Sequence, residues 1–235
     1  MKKRMEKDWI FLVGLAALML RRQLYLTAMD EKGLLLRNHP LSLGLLALTV
    51  ATFLLIAWKA RNTEALEESG FVSALGHGVM ALGILTTVRH GVPAVGYLGI
   101  LWRWLGLASP LCLLAAGAAA AVRKQPFFLL HMVPSLFFVV HIVCYYQTWS
   151  GDPQMQNYLF ALLSTMALAL FAFYTAAAEA DCGNDRLRTA MGQAAVYLCL
   201  AELANSGNPV LYLAGFVWAR AEMYRFRVTP GEEKD

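Results

Sequence analysis

The chain has 235 residues, of which 58% are hydrophobic and 15% charged, with a formal net charge of +4. A soluble domain has about 45–50% apolar and about 25% charged residues, so this chain is too oily for water unless its apolar surface faces lipid; its mean hydropathy of +0.50 agrees. The positive charge lies at the edges of apolar segments, which favours membrane orientation over nucleic-acid binding.

A spanning helix needs roughly 20 apolar residues. Eight apolar segments follow one another, at 8–28, 41–59, 71–90, 97–121, 126–148, 156–178, 188–205 and 209–226. The first starts as a signal peptide does, with "MKKRMEKD" before an apolar run. That run ends in Arg21-Arg22 with no small-residue cleavage site, and further spans follow, so it reads as a retained first helix. The connections are short and carry breakers such as Asn38-His39-Pro40, Gly91-Val92-Pro93, Gly151-Asp152-Pro153 and Ser206-Gly207-Asn208-Pro209. No long linker divides the chain. The prediction is one all-α domain over 1–235, a polytopic bundle of about eight transmembrane helices. Segment four closes on "AAGAAAAV", small residues that let another helix approach closely.

Charge sets the expected orientation. With the N-terminus in the cytoplasm, the inner side collects Lys2, Lys3, Arg4 and Lys7, then Lys59 and Arg61, Arg123 and Lys124, Arg186 and Arg188, and finally Arg220, Arg225, Arg227 and Lys234. The outer loops at 149–156 and 205–208 hold no Lys or Arg. This alternation predicts both termini inside. The cysteines, Cys112, Cys144, Cys182 and Cys199, are scattered without CxxC spacing, so neither a disulfide framework nor a metal site is expected.

Charged groups at membrane depth are costly and are the default functional candidates. Arg21 and Arg22 lie about 12 residues into segment one, roughly 18 Å from its inner end. Glu202 lies similarly deep in segment seven. Arg103 opens segment four from outside, Arg89 and His90 close segment three, and His141, Tyr145 and Tyr146 occupy the outer half of segment five. The inner half is nearly all apolar apart from His77 and His131. If Arg21, Arg22, Arg103, His90, His141, Tyr145 and Glu202 converge, they form a cationic ligand-binding pocket open to the outside. Glu202 with Arg21 or Arg22 is the expected buried ion pair. The competing reading is arginines that snorkel to the headgroups. Tyr145, Tyr146 and Trp149 also suit an interfacial aromatic belt.

His77 and His131 at one depth, with His90 and His141 at another, resemble the paired histidines of a two-haem membrane cytochrome. Helical geometry argues against this. At about 100° per residue, His77 and His90 differ by about 220°, and His131 and His141 by about 280°. Two stacked haems on one seam fit poorly, leaving room for a single bis-histidine site at most. His131 reads as a packing residue and His141 as the better candidate. No GxSxG, HExxH, GxxxxGK or GxGxxG appears in a fitting context. Glu67-Glu68 reads as a solvated loop pair, and Lys32 is not deep enough to hold a retinal. No cofactor is expected.

The stretches "LYLTAMDEKGLLLRNHPL" (24–41) and "PFFLLHMVPSLFFVVHIVCYYQTWSGDPQMQNYLFALL" (126–163) resemble a family of small polytopic membrane proteins, similar to predicted proteins of Gram-positive anaerobic bacteria. The resemblance carries no fold, cofactor or activity, and implies a plasma membrane without an outer one. The expected function is binding or transport of a small anionic or amphipathic ligand through the outward pocket. One alternative is an enzyme acting on lipid or its headgroup, with His141, His90 or Asp152 as acid–base groups. The other is a ligand-free assembly partner built on the small-residue face.

Overall fold

In lipid every backbone polar group must find its partner inside the protein, which leaves helices as the economical choice for apolar segments. A computed structural model of the protein describes residues 9–29, 39–59, 70–91, 96–122, 124–149, 158–204 and 207–223. Among them are eight helices: α1 (Trp9–Thr27), α2 (Pro40–Lys59), α3 (Gly70–His90), α4 (Tyr97–Ala121), α5 (Leu129–Trp149), α6 (Leu159–Glu179), α7 (Asp185–Glu202) and α8 (Pro209–Glu222). Each lies within a few residues of a predicted segment. Hydroxyl groups inside these helices turn back on their own backbone: Thr52 donates to the Leu48 carbonyl, Ser109 to Leu105 and Thr175 to Phe171. That local bond satisfies a donor where water is scarce.

Six helices, α3 to α8, close a ring in which each packs on the next and α8 returns to α3; α1 lies outside against α7, and α2 lies against α1 with a light contact to α7. The chain runs back and forth. One end, called proximal below, therefore gathers the starts of α1, α3, α5 and α7 and the finishes of α2, α4, α6 and α8. There the Lys59 ammonium sits 4.8 Å from the Trp9 ring centre. At the distal end, Asn208 donates to the Thr87 hydroxyl at 2.7 Å.

The ring is tight where glycines allow it. A Cβ added at Gly83 would stand 2.6 Å from the Ala214 Cβ, and one at Gly76 2.7 Å from the Ala221 Cβ, so α3 and α8 are in backbone-close contact. The small-residue run of α4 packs as expected: a Cβ at Gly117 would come within 3.0 Å of the His77 Cβ.

Six helices, α1 to α6, are long and apolar enough to cross a membrane. The two remaining, α7 and α8, fall short of the eight spans expected. At 14 residues, α8 rises about 21 Å against a hydrocarbon core of about 30 Å. α7 carries Asp185, Arg186, Arg188, Gln193 and Glu202, yet every residue from Gly192 to Glu202 is buried. α1, α2, α6 and α8 all contact it, so its surface meets protein rather than lipid. Asn184 starts it by accepting hydrogen bonds from the N–H groups of Arg186 and Leu187. Asn208 and Pro209 start α8 in the same way.

Candidate functional site

Among the described residues, a buried polar cluster lies inside the ring at the proximal end. His77 on α3, His131 on α5 and Glu222 on α8 are all buried, and each offers one ligand-type atom within 4.8 Å of the others. The Nε2 atoms of His77 and His131 stand 2.9 Å apart. Nδ1 of His77 lies 2.7 Å from the Ser73 carbonyl oxygen, one helical turn back. Nδ1 of His131 lies 2.8 Å from Oε2 of Glu179, at the end of α6. The Ser73 hydroxyl donates to Oε2 of Glu222 at 2.5 Å, and that oxygen is 3.8 Å from Nδ1 of His77. Trp218, fully buried, lies nearly parallel to His131 at 6.2 Å and edge-on to His77 at 6.2 Å. Pro134, three residues beyond His131, has no N–H for the Leu130 carbonyl, which loosens the first turn of α5 around the histidine.

These contacts constrain the protons. A backbone carbonyl only accepts, so Nδ1 of His77 carries the hydrogen. An ionised carboxylate only accepts, so with Glu179 ionised Nδ1 of His131 carries one too. A neutral imidazole has a single N–H. Both Nε2 atoms therefore turn lone pairs toward each other at hydrogen-bond distance, which is repulsive. One positive charge between them removes the conflict, either as a proton shared along N–H···N or as a metal ion that both nitrogens ligate. Placing the extra proton on Glu179 instead, so that its O–H donates to His131, keeps the same count. The cluster then still holds one proton more than two neutral imidazoles and ionised carboxylates.

The residues expected to form an outward pocket divide into two pairs and three exposed side chains. Arg21 and Glu202 form the expected ion pair, their side chains 1% and 4% exposed. Arg21 also donates to the Ala201 carbonyl at 3.1 Å and lies over the Phe160 ring. His141 and Tyr145 form the second pair, with rings 4.4 Å apart, and Trp102 donates its indole N–H to Nδ1 of His141 at 3.1 Å. Arg22, His90 and Arg103 are exposed. Asp152, Lys32 and Glu67-Glu68 lie outside the described residues. An apolar groove of about 300 Å³ between α2 and α7, lined by Phe53, Ile56, Met191 and Arg186 among others, includes none of the expected pocket residues.

His131, read from sequence as packing, has a polar partner at each ring nitrogen, and the pairing of His77 with His131 is the one level of the two-level histidine pattern that meets. No metal site was expected from the sequence, since the cysteine pattern is silent about a histidine–carboxylate set. Glu179 and Glu222 were not among the candidates read from the sequence. The missed signal was depth: all four side chains sit near proximal helix ends. No protein-family model, no curated protein and no solved structure matches the chain.

Proposed function

We propose that this integral membrane protein binds a cation at the proximal end of its bundle, and that holding or passing this cation is the role of His77, His131, Glu179 and Glu222. The observation behind the reading is the pair of Nε2 atoms facing each other at 2.9 Å while the two Nδ1 atoms face the Ser73 carbonyl and the Glu179 carboxylate. The basic residues that flank the proximal helix ends support a reading in which that end faces the cytoplasm of a plasma membrane, with both termini inside. A distal pocket for an anionic or amphipathic ligand has less to draw on. Arg21 is matched by Glu202, and the His141 ring is engaged by Trp102, Phe137 and Tyr145.

The test is the nitrogen spectrum of ¹⁵N-histidine-labelled protein in bilayers, assigned with single histidine variants. The expected result is that the two Nε2 signals show a shared proton or metal ligation. Two plain lone-pair Nε2 nitrogens with no bound cation would overturn the reading.

A further inference from the structure

The chemistry of the cluster bears on which cation it would take. Two imidazoles and one carboxylate form a set that zinc accepts with a fourth position left over. Both imidazoles are oriented as metal ligands are: each gives its Nδ1–H to a carbonyl or carboxylate, which aims the Nε2 lone pair inward and raises its basicity. The two nitrogens need little change, whereas the Glu222 carboxylate, whose Oε2 stands 3.8 Å from Nδ1 of His77, must turn toward the Nε2 pair to join them. With Zn–N bonds of about 2.0–2.1 Å, two nitrogens in a tetrahedral shell sit about 3.3 Å apart. The observed 2.9 Å opens to that with a small tilt of each ring. The donors are nitrogen and oxygen alone, which favours a borderline ion over a soft one such as Cu(I).

We infer that the proximal cluster is a binding site for a divalent transition metal, zinc first. Nε2 of His77, Nε2 of His131 and the Glu222 carboxylate are its ligands, while Glu179 and the Ser73 carbonyl orient the imidazoles. This rests on the reading that a cation occupies the cluster. The ligands come from α3, α5 and α8, so the ion ties together three helices of the ring beneath the flat face of Trp218. The exposed Cys182 and the buried Cys144 and Cys199 play no part.

The experiment is metal analysis of the full-length protein purified in detergent without chelator, stripped, and titrated with Zn²⁺. Co²⁺ serves as a spectroscopic substitute. The expected result is about one zinc per chain. Cobalt should give the visible absorption of a four-coordinate nitrogen–oxygen site. His131→Ala and Glu222→Gln should weaken binding by more than the roughly 10–100-fold expected for losing the Glu179 partner, while His141→Ala should bind as the parent does. If His131→Ala fails to fold, the cobalt spectrum of the parent and the Glu222→Gln titration still decide the matter. Equal metal in the parent and in both ligand variants means adventitious binding and refutes the site. No metal uptake, together with a shared proton in the nitrogen spectrum, refutes the metal while the cation reading survives. No metal and no shared proton removes both.

Discussion

Replacing Arg21 by alanine isolates the energetics of the distal ion pair. Both side chains are almost fully buried, so the substitution strands the Glu202 carboxylate inside the bundle, and breaking such a pair is far costlier than never having it. The carboxylate has one escape, which is to take up a proton. Free glutamate loses its proton near pH 4.3, so keeping it protonated at pH 7 costs about 2.7 units at 1.36 kcal/mol each, or roughly 4 kcal/mol. That is a ceiling on the electrostatic loss. At roughly 2–4 °C per kcal/mol for a chain of this size, Tm should fall by about 7–15 °C at pH 7. The sign with pH follows from proton binding. The folded variant holds a proton that the unfolded chain releases above its ordinary pKa, so the variant's deficit grows as pH rises and shrinks to about 1 kcal/mol near pH 5. Arg21→Met combined with Glu202→Leu should recover most of the loss, because two apolar side chains leave no stranded charge. The assay is thermal unfolding in a mild detergent, followed by the circular dichroism of the helices at pH 5 and pH 7. A deficit independent of pH, or a double variant no better than Arg21→Ala, would show that the pair is not buried as described.

The remaining predictions concern packing, positioning and orientation. Gly83→Leu should cost about 1–3 kcal/mol, because its side chain meets the Ala214 Cβ rather than a flexible tip; Gly78→Leu, with nothing within 4 Å of its Cβ, should be near neutral in the same melting assay. Trp102→Phe leaves the buried Nδ1 of His141 without its donor, and should lower stability by about 1–3 kcal/mol. Ser73→Ala removes the hydroxyl bond to the buried Glu222 carboxylate and should weaken zinc binding by about tenfold, and it should lower the melting stability of the stripped protein by about 1–3 kcal/mol. Cys182, exposed in the turn after α6, should resist a membrane-impermeant maleimide in intact cells and react after permeabilisation; labelling in intact cells would reverse the proposed orientation.

Much of the helix layout was legible because a run of about 20 apolar residues bounded by breakers has few alternatives to a helix in lipid. Proline and asparagine at 208–209 marked the start of α8 to the residue. The status of α7 was harder to read. Hydropathy measures compatibility with lipid, and a helix wrapped by four others does not meet lipid, so its arginines and Gln193 carry no warning of burial. The distal pair was readable because Arg21 and Glu202 have opposite charge at matching depth. The proximal cluster escaped because angles along one helix say how two histidines on that helix relate, and nothing about histidines on different helices. His77 and His131 meet across the ring, a relation set by the closure of α8 onto α3. The same depth comparison that paired Arg21 with Glu202 would have grouped Glu179 and Glu222 with the proximal histidines.

The Arg21–Glu202 pair also has a history in time. The partners are 181 residues apart in the chain, so at about 5–20 residues per second the ribosome finishes Glu202 roughly 10–35 s after Arg21. Throughout that interval α1 stands in the bilayer with its arginine unmatched, and the long side chain must reach for a headgroup. α7 then arrives with too little apolar surface to stay in lipid alone, and its carboxylate meets the waiting guanidinium. The placement of α7 thus waits on a helix made 181 residues earlier, which makes the pairing a late step relative to the insertion of α1.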